Sequence, residues 1–316
     1  MQLRVTHRGW QRVVFAAALG IPCGGCTLLF PVSEFDSGEA HGFSERCADP
    51  NVVRCVGFDS AAEMKALYAN EPCADIDSAV FTSGGGSLRV TVSTTGAADQ
   101  CAVNFHPGES TDPPGLDAST FGPGETFFVQ WRMRYDAAAF SADYGGENAR
   151  DQLIIGPPDK DAAAGEWSAP FAVGVTSLSG RGFPTLMVAG QEAAPMTASG
   201  DFMLQNQVAG CTYQNQERCK RLIAEAWMTF EVAVTVGREG KPETRARAWF
   251  GVEGAASVPL IDVDGLTIGN ATTPVGFGKV WLWPRVEAPG SMAPPEGHVW
   301  YDDLVISRAF IPDPAP

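Results

Sequence analysis

The stretch Glu125 to Tyr135, Glu-Thr-Phe-Phe-Val-Gln-Trp-Arg-Met-Arg-Tyr, alternates so strictly that it constrains the fold more than any other feature of the chain. Val129, Trp131, Met133 and Tyr135 take one set of alternate positions, and Phe128, Gln130, Arg132 and Arg134 the other. Strand side chains point alternately to the two faces of a sheet, so the first set can bury in a sheet-on-sheet core. The second set then presents amide and guanidinium donors on the opposite face. Such a face can line a binding surface, or its arginines can simply pair with neighbouring carboxylates in solvent. A later stretch, Gly278 to Trp283, repeats the pattern: Val280 and Leu282 alternate with Lys279, Trp281 and Trp283. A third, from Arg245 to Val252, puts Arg245, Arg247 and Trp249 on one side.

Further segments read as strands are 51–58, 88–92, 101–105, 151–155, 171–176, 185–188, 230–236 and 298–307, of which 88–92 and 230–236 alternate clearly, with one short helix expected over 61–68. Tight turns between many short strands need special backbone angles, and the 35 glycines and 23 prolines supply them. The 316 residues show no internal repeat, no second composition and no linker dividing 47–312, so a single all-β domain over 47–316 is expected. Acidic residues outnumber basic ones 37 to 22, for a net charge of −15. That balance excludes nucleic acid as a general partner and requires any bound anion to meet a local basic patch.

The first residues read as an address. Arg4, Arg8 and Arg12 precede the apolar run 13–21, which is too short to span a bilayer, so 1–25 is expected to be an export signal. Cys23-Gly-Gly-Cys26 resembles a lipoprotein box with Cys where Leu is usual, which leaves open a lipid on Cys26, hence an outer-membrane anchor, or plain secretion. Residues 26–46 read as a tether or N-terminal arm. The six cysteines that remain form an even set in an exported chain and are expected as disulfides, with sequence proximity suggesting Cys47–Cys55, Cys73–Cys101 and Cys211–Cys219. Zinc is disfavoured because the mature chain has no Cys-x-x-Cys pair.

Three motifs together, Gly-Gly-Gly-Ser-Leu-Arg-Val (84–90), Phe-Phe-Val-Gln-Trp-Arg-Met-Arg-Tyr (127–135) and Trp-Tyr-Asp-Asp-Leu-Val-Ile-Ser (300–307), resemble the concanavalin A-like jelly-roll domains of bacterial polysaccharide lyases and glycan-binding proteins. The resemblance covers most of residues 50–310. It implies an antiparallel β-sandwich whose concave sheet carries a sugar site, and it speaks to fold more than to activity.

From the residues themselves, Gln130, Arg132, Arg134, Arg247, Trp249, Lys279, Trp281 and Trp283 are the candidate ligand-binding groups, and the resemblance adds Gln152. Aromatic faces stack on sugar rings, and guanidinium forks suit carboxylates. If their strands are neighbours in one sheet, an acidic protein carries a basic, aromatic groove, and the expected partner is an acidic, uronate-type polysaccharide. The reading is an exported carbohydrate-binding protein; the alternatives are a polysaccharide lyase working by β-elimination and a surface adhesion or structural protein. A lyase needs a base near the C5 proton. The Gln-x-His pair known in alginate-lyase families is incomplete here, since Ile154 stands at the His position two after Gln152, which leaves Tyr144, Tyr213, Tyr301 or His298 as base. Glu34-Phe-Asp-Ser-Gly-Glu39 has glycosidase-like spacing but precedes the first strand and is read as chance. No cofactor is expected, although Asp302 and Asp303 could hold a structural Ca²⁺.

Overall fold

A computed structural model describes residues 40–63, 75–92, 101–104, 121–141, 149–156, 172–178, 184–189, 202–204, 219–268, 276–282 and 297–315, all within one compact unit spanning 37–316. In chain order the elements are α1 (Phe43–Cys47), β1 (Val52–Val56), β2 (Asp75–Asp77), β3 (Ser87–Val92), β4 (Cys101–Asn104), β5 (Thr126–Tyr135) and α2 (Ala137–Ser141). There follow β6 (Ala149–Gly156), β7 (Ala172–Leu178), β8 (Pro184–Ala189), β9 (Phe202–Leu204), β10 (Met228–Thr235), β11 (Pro242–Val252), β12 (Val258–Thr267), β13 (Lys279–Leu282) and β14 (Gly297–Ser307).

The strands form two antiparallel sheets. One runs β12-β11-β10-β5-β14-β3-β2, with β1 also paired to β14; the other runs β4-β13-β6-β7-β8-β9. Val129, Trp131 and Met133 of β5 face Leu153 and Ile155 of β6 and Val280 and Leu282 of β13 in one shared core. Exact lateral register lines up Trp131, Phe230 and Phe250 across β5, β10 and β11. The Trp131 and Phe230 rings stack at 5.2 Å, and Phe230 meets Phe250 at 5.1 Å. Each such side chain removed from water stabilises the sandwich by about 1.5–3 kcal/mol. At one end Phe121, Phe127 and Phe277 close the space between the sheets.

β14 changes partner midway. Its first half pairs with β3 and its second with β1, while β5 runs along the other side with an irregularity between Asp302 and Val305. Asp303 sits at the break with φ 52°, a left-handed conformation that aspartate tolerates better than most residues. The sheet therefore has a seam where β1 and β3 meet end to end, and two carboxylates fill it.

β12 was not expected from the sequence, because Pro259, two aspartates and Gly265 interrupt it. It occupies an edge, where a proline lacking an N–H costs no ladder bond. The expected helix over 61–68 is helical at 61–63, and its remainder lies outside the described residues. Of 26–46, expected as a tether or N-terminal arm, residues 43–46 form most of α1, and Arg46 is buried. The Cys47–Cys55 disulfide ties that helix to β1, and Cys219 is also disulfide-bonded. Cys73 and Cys211 lie outside the described residues.

Candidate functional site

On β5 the face away from the core carries Phe128, Gln130, Arg132 and Arg134, as alternation requires. Two chain ends close over most of that face. α1 inserts Arg46, which donates to Gln130 Oε1 and, at 2.7 Å, to Asp303 Oδ2. The C-terminal segment lays Ile311 and Pro312 over the same amide: Gln130 Nε2 donates to both carbonyls and to Glu231 Oε2, and Ile311 N donates to Glu231 Oε1. Gln130 and Arg132, expected on an open groove, are thus buried in a polar network beneath the termini. Among the described residues, the ion-pair partner of Arg132 is Glu253, at 3.6 Å.

Burial sets the electrostatics of this network. It pushes the Glu231 carboxyl up to about 8, against the bonds from Ile311 and Gln130. Burial, reinforced by the neighbouring Asp303 charge, pushes Asp302 up to about 7. Loss of hydration lowers the affinity of Arg46 and Arg132 for their protons, while Asp303 opposes that change.

The aspartate pair does not fit calcium. Asp302 Oδ2 accepts from Thr82 N and Thr82 Oγ1 at 2.8 and 2.9 Å, and Asp302 Oδ1 from Asp303 N. Asp303 is taken by Ser83 Oγ and Arg46. A guanidinium already stands against the carboxylate a cation would need.

Trp249 is corrected as well. It lies in an exterior apolar cluster with Phe128, Val305 and Ile311, and Phe310 of the C-terminal segment meets its ring at 5.6 Å. Arg247 lies over the Phe128 and Trp249 rings at 5.8 and 5.6 Å. These contacts use the cation and the aromatic faces internally.

The expected groove divides between the two sheets. Gln130, Arg132, Arg134, Arg247 and Trp249 belong to the eight-stranded sheet, whereas Gln152 and the Lys279–Trp281 pair belong to the six-stranded one. There β13 lies between β4 and β6, with Lys279 opposite Gly156 and Trp281 opposite Ile154. Lys279 is outside the shared core, whose β13 members are Val280 and Leu282, and yet it is buried.

Of the four expected bases, Tyr301 is fully buried between the sheets, in register with Met133, which removes it from any polymer. His298 lies on the eight-stranded sheet, on the strand face shared with Trp300, beside Asp136 at 3.1 Å. Tyr144, Tyr213 and Trp283 lie outside the described residues.

The sequence reading missed Arg46, Glu231, Asp136 and Trp300 as members of polar clusters. A signal for Glu231 existed, a lone acid in an otherwise apolar strand, Met-Thr-Phe-Glu-Val-Ala-Val-Thr. Nothing local marks Arg46.

No family model matches this chain, and no curated protein matches it. Solved structures do. An endo-β-1,4-glucuronan lyase from the fungus Trichoderma reesei is 13% identical, with a TM-score of 0.47 over 77% of this chain and 90% of that one. An alginate lyase from Chlorella virus is 10% identical, with a TM-score of 0.45 over 82% and 100%. A marine alginate lyase from Aplysia kurodai is 12% identical, with a TM-score of 0.54 over 81% of this chain and 98% of that one. With its two packed antiparallel sheets, the chain has the jelly-roll β-sandwich fold of the Aplysia kurodai alginate lyase.

Proposed function

We propose that this is an exported protein that binds an anionic, uronate-type polysaccharide along the face of the six-stranded sheet that points away from the core. The observation that carries the reading is the β6–β13 pairing, which brings Gln152, Lys279 and Trp281 onto adjacent strands, with Lys279 outside the shared core. An amide, an ammonium and an indole are the donor and stacking groups that a carboxylated sugar chain requires. The fold shared with alginate lyase supports the same substrate class. Export is supported by the apolar run 13–21 behind three arginines and by the Cys47–Cys55 bridge, a bond that persists in oxidising compartments. Cys26 would carry a lipid if the leader is cut as a lipoprotein.

Cleavage by β-elimination is the second reading, favoured by the likeness to the lyase fold. Its base would be Tyr144 or Tyr213, since Tyr301 is enclosed and His298 is on the other sheet. Titrating the mature protein with oligomers of mannuronate, guluronate, glucuronate and galacturonate, beside neutral glucan, tests both readings. Affinity for at least one uronate, reduced at least about tenfold by Lys279→Ala, supports the binding site. Affinity unchanged by Lys279→Ala sinks it. Growth of unsaturated-uronate ultraviolet absorbance decides for the lyase.

A further inference from the structure

Beyond the part covered by the termini, the exterior of the eight-stranded sheet bears a partly exposed cluster that the site above does not use. Trp300 on β14 lies in register between Arg134 on β5 and Arg89 on β3. Its indole N–H is fixed by Asp77 Oδ2 at 2.9 Å, and the Arg134 guanidinium lies 6.0 Å from its ring centre. His298, two residues earlier on the same strand face, sits 5.8 Å from that ring with its side chain 30% exposed.

The histidine is held by one carboxylate. Asp136 Oδ2 accepts from His298 N at 2.8 Å and lies 3.1 Å from Nδ1, while Asp136 Oδ1 accepts from Ala139 N at the start of α2. With Nδ1 directed at Asp136, the imidazole presents Nε2 away from it. Arg89 is neutralised by Asp75 and Asp77, at 3.3 and 3.6 Å. Arg134 has no carboxylate partner among the described residues. An uncompensated guanidinium on a chain of net charge −15, next to an oriented imidazole and an indole edge, is a site for an anion.

We propose that Arg134, His298 and Trp300 form a second binding site, on the opposite sheet from Lys279, that takes the carboxylate of an acidic saccharide. Arg134 pairs with the carboxylate, His298 Nε2 contacts a neighbouring hydroxyl, and Trp300 supplies the apolar floor. The anion chemistry stands on this cluster alone; that the ligand is a sugar rests on the function proposed above. Two sites on opposite sheets would let one molecule engage two polysaccharide chains.

The probe is trigalacturonate, followed by ¹⁵N-detected histidine side-chain NMR of the mature protein, with His298→Gln used for assignment and inorganic phosphate at equal ionic strength as the competing anion. The expected result is a saturable shift of the His298 ring signals with trisaccharide and not with phosphate. Arg134→Gln should weaken it at least about tenfold, Lys279→Ala should leave it intact, and His298→Gln should lower the stoichiometry of binding. An unmoved His298 while trisaccharide still binds, an equal response to phosphate, or an Arg134→Gln variant that behaves as wild type overturns the second site and leaves the first standing. Failure of every uronate to bind at all overturns the ligand class for both.

Discussion

Arg46, on the N-terminal helix, donates at 2.7 Å to Asp303, 257 residues later, and both side chains are almost entirely out of solvent. Taking two charges out of water costs several kcal/mol per ion, and here the cost is offset by mutual attraction and by the bonds to Gln130 and Ser83. The pair fixes the position of α1 and fills the seam beside β14, so one contact joins two elements far apart in sequence.

Removing one member should be costly. Arg46→Ala is expected to lose about 3–5 kcal/mol, because Asp303 is left charged and buried. Arg46→Ala combined with Asp303→Asn should lose less than the sum of the single changes. Urea denaturation of the four proteins measures the coupling.

Stability should depend on pH through Glu231. Its carboxyl is held at about 8 in the folded protein against an ordinary 4.5, so its contribution is complete below pH 4.5 and is lost as pH rises through about 8. Asp302, raised from 3.8 to about 7, acts in the same direction over a lower window. Glu231→Gln is expected to flatten the fall between those limits by up to about 1.4 kcal/mol per pH unit. Denaturant midpoints across pH 4–9 for both proteins would show it, and identical slopes would refute it.

The Cys47–Cys55 bridge closes a short loop, with a sequence separation of 8. Cys47→Ser with Cys55→Ser should cost about 2–3 kcal/mol through the freedom returned to the unfolded chain. Limited proteolysis is expected to cut the double variant first in 40–48, where α1 loses its tie to β1.

Phe310 caps Trp249 and sits edge-on to Phe128 at 6.2 Å. It is partly buried, so Phe310→Ala should cost about 1–3 kcal/mol, below the ~3–5 kcal/mol of a fully enclosed phenylalanine. Trp249 fluorescence, taken as the difference from Trp249→Phe, should shift to the red as water reaches the ring.

Gly297 permits α2 to touch β14. A Cβ there would stand 2.6 Å from the Ala139 Cα, so Gly297→Ala must push α2 outward. About 1–3 kcal/mol is expected to be lost, with a change in the His298 signals as Asp136 moves. An unperturbed histidine spectrum would argue against the packing described.

Much of the sandwich was legible in the sequence. Alternation in 125–135 correctly put Trp131 inward and Gln130 outward, and the same rule found β11, β13 and β14. It failed at β12, where Pro259 and Gly265 mask a strand tolerated because it is an edge. The candidate site was less legible. Arg132 and Trp249 carry the right chemistry on the right face, yet periodicity gives only the face and says nothing of what lies over it. The tail that covers Trp249 begins at Arg308, and the helix whose Arg46 lies against Gln130 comes from a stretch with no strand pattern.

The sequence by itself determined the class of fold, two apolar faces turned together, because period two is a local property of the chain. It also determined the acidity that makes any cationic cluster stand out. Only the tertiary structure decided which cations remain available. Strand order is set by contacts between distant segments, and it divided Lys279 from Arg134 between two sheets. The same long-range packing turned Arg132 from a surface donor into a buried member of a charge network.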